Sequence, residues 1–377
     1  MSNHTRATPD EGGPEVIQGD MRGHDSKQAS MLCLINPESL VAPDHPLRAV
    51  KSLVEVVLRD LSPVFDAMYS YTGRPSIPPE RLLKATVLMA LYTIRSERMF
   101  CEQLGYNLRF KWFLDMDMHE PAFDPTTFTK NRKRLLDHDV AAHFFRTVVE
   151  QARKAGLLSA EHFSVDGTLV QAWASMKSFR PKDDNDSDNN GWADFRGKKR
   201  SNATHESKTD PDARLIRKGK GKEAKLSYCM SVLMENRNGL LTGIDLAVAT
   251  GFAERESALA MLESGGPSST RRTVGADAGY DTNDFVAACR KKGVTPHVAQ
   301  NRSRRRSAID GRTTRWAGYS VSITIRRMIE RVFGWMKTTA NFRRTRLKGR
   351  AKTAMAATFV GATYNLLRLA RLMPSTP

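Results

Sequence analysis

Near residue 155 the spacing of apolar residues changes from helical to alternating, and this change restricts the fold more than any other feature. Before it, "HPLRAVKSLVEVVLRDL" and "IPPERLLKATVLMALYTI" repeat apolar residues every three or four positions, as helices with one buried face do. Pro79 stands where a first helical turn tolerates proline, Ser96 opens a further short helix, and nothing up to residue 150 alternates like a strand. After it, "HFSVDGTLVQA" (162–172), "LSYCMSVLME" (226–235) and "GLLTGIDLAVAT" (239–250) have a period of two, and "NRNG" between the last two suits a tight hairpin. "ERESALAMLES" then predicts a helix, "RRTVGADAGY" a strand, "TNDFVAACRKKG" a helix stopped by Gly293, and "VTPHVAQ" a strand. Three antiparallel strands followed by alternating helix and strand describe an α/β domain: a mixed sheet with flanking helices, behind an all-α N-terminal region.

The expected boundaries follow from composition. Residues 1–26 are rich in Gly, Asp, His and Ser with little to bury, and are expected to be disordered. Residues 27–150 form the helical region and 155–372 the α/β domain, with a nearly all-polar insertion at 177–225 expected to be a long mobile loop. A chain of 377 residues at 40% hydrophobic content can bury a full core. Its formal charge of +18, from 59 Lys and Arg against 41 Asp and Glu, is too one-sided for an ordinary metabolic enzyme. It favours a polyanionic partner, with nucleic acid ahead of an anionic membrane surface. The longest apolar run, 82–94, is too short to span a bilayer, and the N-terminus has no signal-peptide core, so the expected location is the cytoplasm. Cys33, Cys101, Cys229 and Cys289 are scattered, without metal-ligand spacing, and read as packed, reduced thiols.

Positive charge is concentrated in two stretches. In "DPTTFTKNRKRL" Asp124 is an expected N-cap and Pro125 the first helical residue, followed by Lys130, Arg132, Lys133 and Arg134. A short helix, a turn and this basic helix fit a DNA groove, and they fit a solvated face on a packing helix equally well. The second stretch, 300–352, holds 16 Lys and Arg against only Asp310 and Glu330, and includes Arg304 and Arg305 in "RSRRR". It reads as a DNA path.

Three carboxylates carry the candidate chemistry. Asp166 lies in the first strand beside Gly167, Asp277 ends the fourth strand, and Glu330 is the only acid of "IRRMIERVFGWMK". On one continuous helix Arg326, Glu330 and Lys337 would lie within roughly 40° of each other. A lone Glu among cations is ordinarily a surface ion-pair partner, but acids from two strands and a helix are what two-metal phosphoryl transfer uses. Mg²⁺, or Mn²⁺, in two copies is the expected cofactor, with Arg326 and Lys337 on the phosphate backbone. Asp281 and Asp284 read as helix caps. Trp173 and Trp335 read as core residues ahead of base-stacking platforms, and His162 and His297 as satisfied strand residues.

Through "GRPSIPPERLL", "DPTTFTKNRKRLL", "EHFSVDGTLVQAWASMKSFRPKD", "LMENRNGL", "GADAGYDTNDFV" and "RVFGWMK" the chain resembles, from about residue 21 to 371, the bacterial insertion-sequence transposases of the DDE class. The group is the one with a Tyr, Arg, Glu, Lys helix signature. The resemblance implies a ribonuclease-H-like catalytic domain with Asp166, Asp277 and Glu330 as its metal-holding acids and Arg326 and Lys337 in the signature's basic places. It also implies strand cleavage at element ends and strand transfer into target DNA, on double-stranded DNA, by a homodimer or larger synaptic complex at the nucleoid. The chain departs from the pattern at Ile323, where the signature has Tyr, and at Ala278, Arg331, Met230 and Ser231. The alternatives are a DNA-binding repressor derived from an inactive or domesticated copy, and a host nuclease on the same fold.

Overall fold

The computed structural model describes residues 37–69, 76–182, 200–217, 219, 221–264, 270–301 and 306–373. The N-terminal segment expected to be disordered, Cys33, and the pair Arg304 and Arg305 lie outside these residues. Six helices come first: α1 (Pro46–Met68), α2 (Pro79–Leu91), α3 (Glu97–Tyr106), α4 (Leu108–Phe113), α5 (Thr126–Asp137) and α6 (Val140–Lys154). Pro79 stands at the start of α2, and the Ser96 hydroxyl accepts from the Met99 N–H at 3.2 Å to cap α3. Between α1 and α2 the Asp115 carboxylate takes hydrogen bonds from Lys51 and Lys84, so the buried ammonium of Lys84 has a counter-charge.

The strands follow as β1 (His162–Gln171), β2 (Phe179–Pro181), β3 (His205–Ser207), β4 (Arg214–Ile216), β5 (Lys225–Glu235) and β6 (Leu241–Val248). Helices and strands then alternate: α7 (Ala253–Ser264), β7 (Arg272–Ala276), α8 (Asn283–Lys291), β8 (Val294–Val298), α9 (Gly311–Thr314), α10 (Ala317–Ile325), α11 (Ile329–Thr338) and α12 (Arg350–Leu372). β5 runs antiparallel to β1 and to β6, while β7 and β8 run parallel to β1. Across the main sheet the order is therefore β6-β5-β1-β7-β8, the ribonuclease-H arrangement of three antiparallel strands and two parallel ones. Pro296 is tolerated because β8 is an edge strand, with one side free of ladder bonds.

The strand period sorts side chains onto two faces. Val165, Val274 and Ala276 pack with α7 and α8, whereas Val170, Met230 and Val232 pack with α11, α12 and the N-terminal helices in one continuous core. Cys101, Cys229 and Cys289 are buried free thiols, as expected, and burial pushes them up to about 11, 12 and 12. Among the described residues no helix is long and apolar enough to cross a membrane.

The structure corrects three expectations. The insertion at 177–225 is ordered in its described part: β2 pairs with β3, β4 joins the outer edge of β5, and Asp210, only 1% exposed, accepts the Tyr228 hydroxyl at 2.5 Å. Three-residue strands in polar sequence carry too few apolar residues to show a period. "IRRMIERVFGWMK" is not one α-helix, because a 3₁₀ turn at Arg326–Met328 separates α10 from α11. Asp281 caps no helix: Thr282 caps α8, and the buried Asp281 carboxylate accepts from the Asn301 and Ala308 N–H groups at 2.7 and 2.9 Å. Asp284 lies within the first turn of α8.

His297 is a satisfied strand residue, its Nδ1 2.7 Å from the Ser322 hydroxyl of α10. Burial, with smaller contributions from His162 and Arg271, depresses it to about 4. The unfolded chain then binds a proton more tightly than the folded one, so the stability of the neutral form is complete above pH 6.5 and is lost as pH falls from there to about 4. The loss should reach about 3 kcal/mol. Urea unfolding from pH 8 to 4 should show this fall in wild type and a shallower one in His297→Gln. Identical slopes would mean that other groups carry the pH dependence.

Candidate active site

Two adjacent parallel strands set the geometry. Ser164 of β1 is the last residue to pair with β7, at Gly275; two residues further on, Asp166 continues β1 with its side chain on the face of Ser164, while Asp277 follows the end of β7 and caps the 3₁₀ turn Ala278–Tyr280, close enough for the two carboxylates to act on each other. Gly275 lies under the end of α10: a Cβ there would be tight against the Ser322 carbonyl, at 3.3 Å, and in ordinary contact with the Arg326 Cβ, at 3.6 Å. The 3₁₀ turn at Arg326–Met328 thus sits against β7, and the Arg326 guanidinium acts electrostatically on Asp166. Lys337, from the last turn of α11, donates to the Thr168 hydroxyl on the same face of β1. Glu330 opens α11 one turn after Arg326 and is exposed, while Ile329, Val332, Phe333 and Met336 fix the helix in the core.

Burial pushes the Asp166 carboxyl up to about 6, and the carboxylates of Asp277 and Glu254 add to the rise. The Gly167 N–H, 2.9 Å from the Asp166 Oδ1, and Arg326 oppose it. Asp277 accepts from the Gly279 N–H at 2.8 Å in a 3₁₀ turn.

Glu254 is the acid that the sequence reading missed. It sits in the first turn of α7, beneath β1, with its side chain in the notch left by Gly167; a Cβ at 167 would come 2.5 Å from the Glu254 Cγ. Burial raises its carboxyl, and Asp277 raises it further. On the sequence it looks like a helix-opening acid, and only Gly167 beside Asp166 hinted at a close approach. Gly167→Ala should cost about 1–3 kcal/mol through this overlap. Urea unfolding should show the cost relieved in the Gly167→Ala/Glu254→Ala double variant. Additive losses would mean the two side chains do not compete for the same space.

The remaining sequence candidates lie elsewhere. Lys130 is exposed on α5, but Arg132 is paired with Glu97. Twelve residues separate α4 from α5, longer than the turn of a helix-turn-helix. α5 starts at Thr126, whose N–H is held by the Asp124 carboxylate at 2.7 Å, and packs Phe128 against Phe100 and Phe123. Trp173 is not a core residue: it is 40% exposed, with the Arg344 guanidinium 5.2 Å over its ring. Trp335 is half-buried, edge-on to Tyr364 at 5.6 Å. His162 lies 2.9 Å from the Thr273 hydroxyl.

Among the described residues no three His, Cys, Asp or Glu side chains form a ready-made metal cage. The donors nonetheless fit a hard divalent cation. Mg²⁺ is normally held by one or two carboxylates together with substrate phosphate and water, and Asp166 and Asp277 are such a pair. A buried donor near Asp166, Arg326 Nε, finds no acceptor within the described residues, as expected of a site completed by a ligand.

The sequence matches the family described as "Transposase DDE domain" over residues 160–366, more than half the chain. The chain belongs to the DDE transposase family. The helical region matches "Transposase domain (DUF772)" over residues 35–134. The transposase is therefore an enzyme that cleaves and transfers DNA strands and depends on a divalent metal, and the repressor alternative is not favoured. No curated protein matches the chain significantly. Among solved structures it is similar to a piggyBac transposase synaptic complex with hairpin DNA, at 11% identity and a TM-score of 0.35, covering 88% of this chain and 82% of that one. It is also similar to the Mos1 transposase paired-end complex with the left transposon end, at 9% identity and a TM-score of 0.19, covering 60% and 61%. At these scores the likenesses add nothing to the family match.

Proposed function

We propose that Asp166, Asp277 and Glu330 hold two Mg²⁺ ions, for which Mn²⁺ can substitute, and that the transposase uses them to cut the ends of an insertion sequence and join them to target DNA. The observation that carries this reading is the pair Asp166 and Asp277, whose carboxylates act on each other, with Arg326 close by at Gly275. When bound, the cations activate the attacking hydroxyl and take up charge on the leaving oxygen. Asp166 and Asp277 supply anionic oxygens from rigid strands, and Glu330 supplies a third from a helix end exposed to incoming DNA. Water attacks phosphorus at the element end and gives up a proton, the P–O3′ bond breaks and its oxygen takes up a proton; the freed 3′ hydroxyl then attacks a target phosphate, forming a new P–O3′ bond as the target's own P–O3′ bond breaks, and the target O3′ leaves as a hydroxyl with the proton that the attacking hydroxyl lost. Arg326 and Lys337 donate to the non-bridging oxygens and hold the phosphate in line.

Lys130 and Arg132 of α5 are proposed DNA contacts, although the ion pair with Glu97 leaves Arg132 less free than Lys130. Arg304 and Arg305 extend the basic path. The working assembly is a homodimer or larger synaptic complex on double-stranded DNA, acting at the nucleoid in the cytoplasm.

The test is single-turnover cleavage of labelled end DNA in Mg²⁺ across a protein titration. Wild type should cleave. Arg304→Ala/Arg305→Ala should lose affinity and recover full rate at saturation, whereas Arg326→Ala or Lys337→Ala should keep a rate defect of about 10²-fold at saturation. Full recovery in all of them would remove the phosphate-holding role from Arg326 and Lys337. No cleavage of any end DNA by wild type would overturn the reading.

A further inference from the structure

A second site lies on the other flank of α11. A cavity of about 230 Å³ opens between α11, α12 and the β5–β6 hairpin, lined by Arg331, Trp335, Tyr364, Arg368, Arg371 and Gly239 among others. Arg331 and Trp335 are four residues apart on one helix, as are Tyr364 and Arg368 on the other, so each pair shares a face. The Trp335 and Tyr364 rings meet edge-on and form an aromatic floor. Arg368 is fixed at the hairpin by donating from Nε to the Asn238 carbonyl at 2.8 Å. Burial raises the Tyr364 phenol, and Arg368, Arg371 and Arg331 all oppose that rise, so the three guanidinium groups converge on it. Among the described residues no carboxylate lines the cavity. Three cations around an aromatic floor, with no internal counter-charge, call for an anion joined to a flat or apolar group.

We propose that this cavity binds one nucleotide unit of the DNA strand, its phosphate on Arg331 and Arg371 and its base or sugar against Trp335. The proposal rests on the reading of the chain as a transposase that acts at Glu330. Arg331 is the next residue along from Glu330, so the cavity opens about 100° around the same helical turn. A strand lying across the Glu330 face can continue into it. The volume is below that of sites for drug-sized ligands, which suits a single nucleotide and not a longer segment. Of DNA and free nucleotide, which offer the same chemistry, the position beside Glu330 favours DNA.

The experiment measures fluorescence anisotropy of labelled end duplex over a range of salt concentrations. Arg331→Ala/Arg371→Ala should weaken binding about tenfold at 0.1 M salt and lower the salt slope by about one to two, as loss of phosphate contacts does. Arg331→Lys/Arg371→Lys should keep the slope. The exposed pair Arg153→Ala/Lys154→Ala, which removes two cations outside the cavity lining, serves as a charge control and should behave as wild type. Thermal melting establishes that each variant is folded. A parallel arm follows quenching of tryptophan fluorescence by thymidine monophosphate in wild type and Trp335→Phe. If wild type binds duplex and the Arg331/Arg371 variant binds it with unchanged affinity and slope, the nucleotide site is wrong while the transposase reading stands. If only thymidine monophosphate binding responds, the site takes a free nucleotide and the DNA assignment is overturned. If wild type binds no duplex, both readings fall.

Discussion

Asp166→Asn and Asp277→Asn are each expected to lower Mg²⁺-dependent cleavage of end DNA by at least about 10³-fold, with duplex affinity within about threefold of wild type. Asn keeps the shape and removes the charge that a hard cation requires. Asp166 is on β1 and Asp277 directly follows β7, so the two carboxylates approach the site from different strands and neither can replace the other. Glu330→Gln should give the same loss, since no other acid lies on α11. Single-turnover cleavage reads the chemical step, and thermal stabilisation by Mg²⁺ with a short end duplex reads cation binding separately. Cleavage that survives Asp277→Asn would move the second ligand to Glu254. Asp281, four residues on from Asp277, is committed to the Asn301 and Ala308 N–H groups.

The second large effect is on stability. Glu235 is fully buried at the end of β5, and its carboxylate accepts from the N–H groups of Asn238 at 2.6 Å, Arg237 at 3.0 Å, Ser159 at 3.3 Å and Leu240 at 3.4 Å. One side chain thus closes the hairpin and ties it to the segment entering β1. Glu235→Leu fits the space but leaves those donors without an acceptor, and should cost about 3–5 kcal/mol. Glu235→Gln keeps one acceptor oxygen and should cost less. Urea unfolding followed by tryptophan fluorescence measures both. Equal losses would assign the effect to packing alone.

The α/β division, the β5–β6 hairpin and the two strand acids were legible because each rests on short-range pattern. Period-two alternation, an Asn-Gly turn, and an Asp at a strand end are local facts. Lys130 and Arg132 show where that kind of reading stops: both are cations in one basic run, yet one is exposed and the other is tied to Glu97, 35 residues away. α12 was not foreseen, although it lies at the centre of the main core. Its Thr353, Thr363 and Asn365 are buried, and Asn365 both accepts from the Leu241 N–H and donates to the Leu241 carbonyl, each at 2.8 Å. A helix buried on most sides, with polar residues satisfied by a distant strand, has no amphipathic stripe to find.

The sequence by itself determined the order of elements, the excess of positive charge and which carboxylates stand on strands, because backbone periodicity and ionisable groups are properties of the chain. Only the tertiary structure decided which of them meet. The parallel pairing of β1 with β7 brings Asp166 near Asp277, and the bare Cα atoms of Gly275 and Gly167 give room to the Ser322 carbonyl of α10 on one side of the sheet and to Glu254 on the other. Such meetings depend on contacts between residues far apart in the chain, and on space left by atoms that glycine lacks, which no local pattern records.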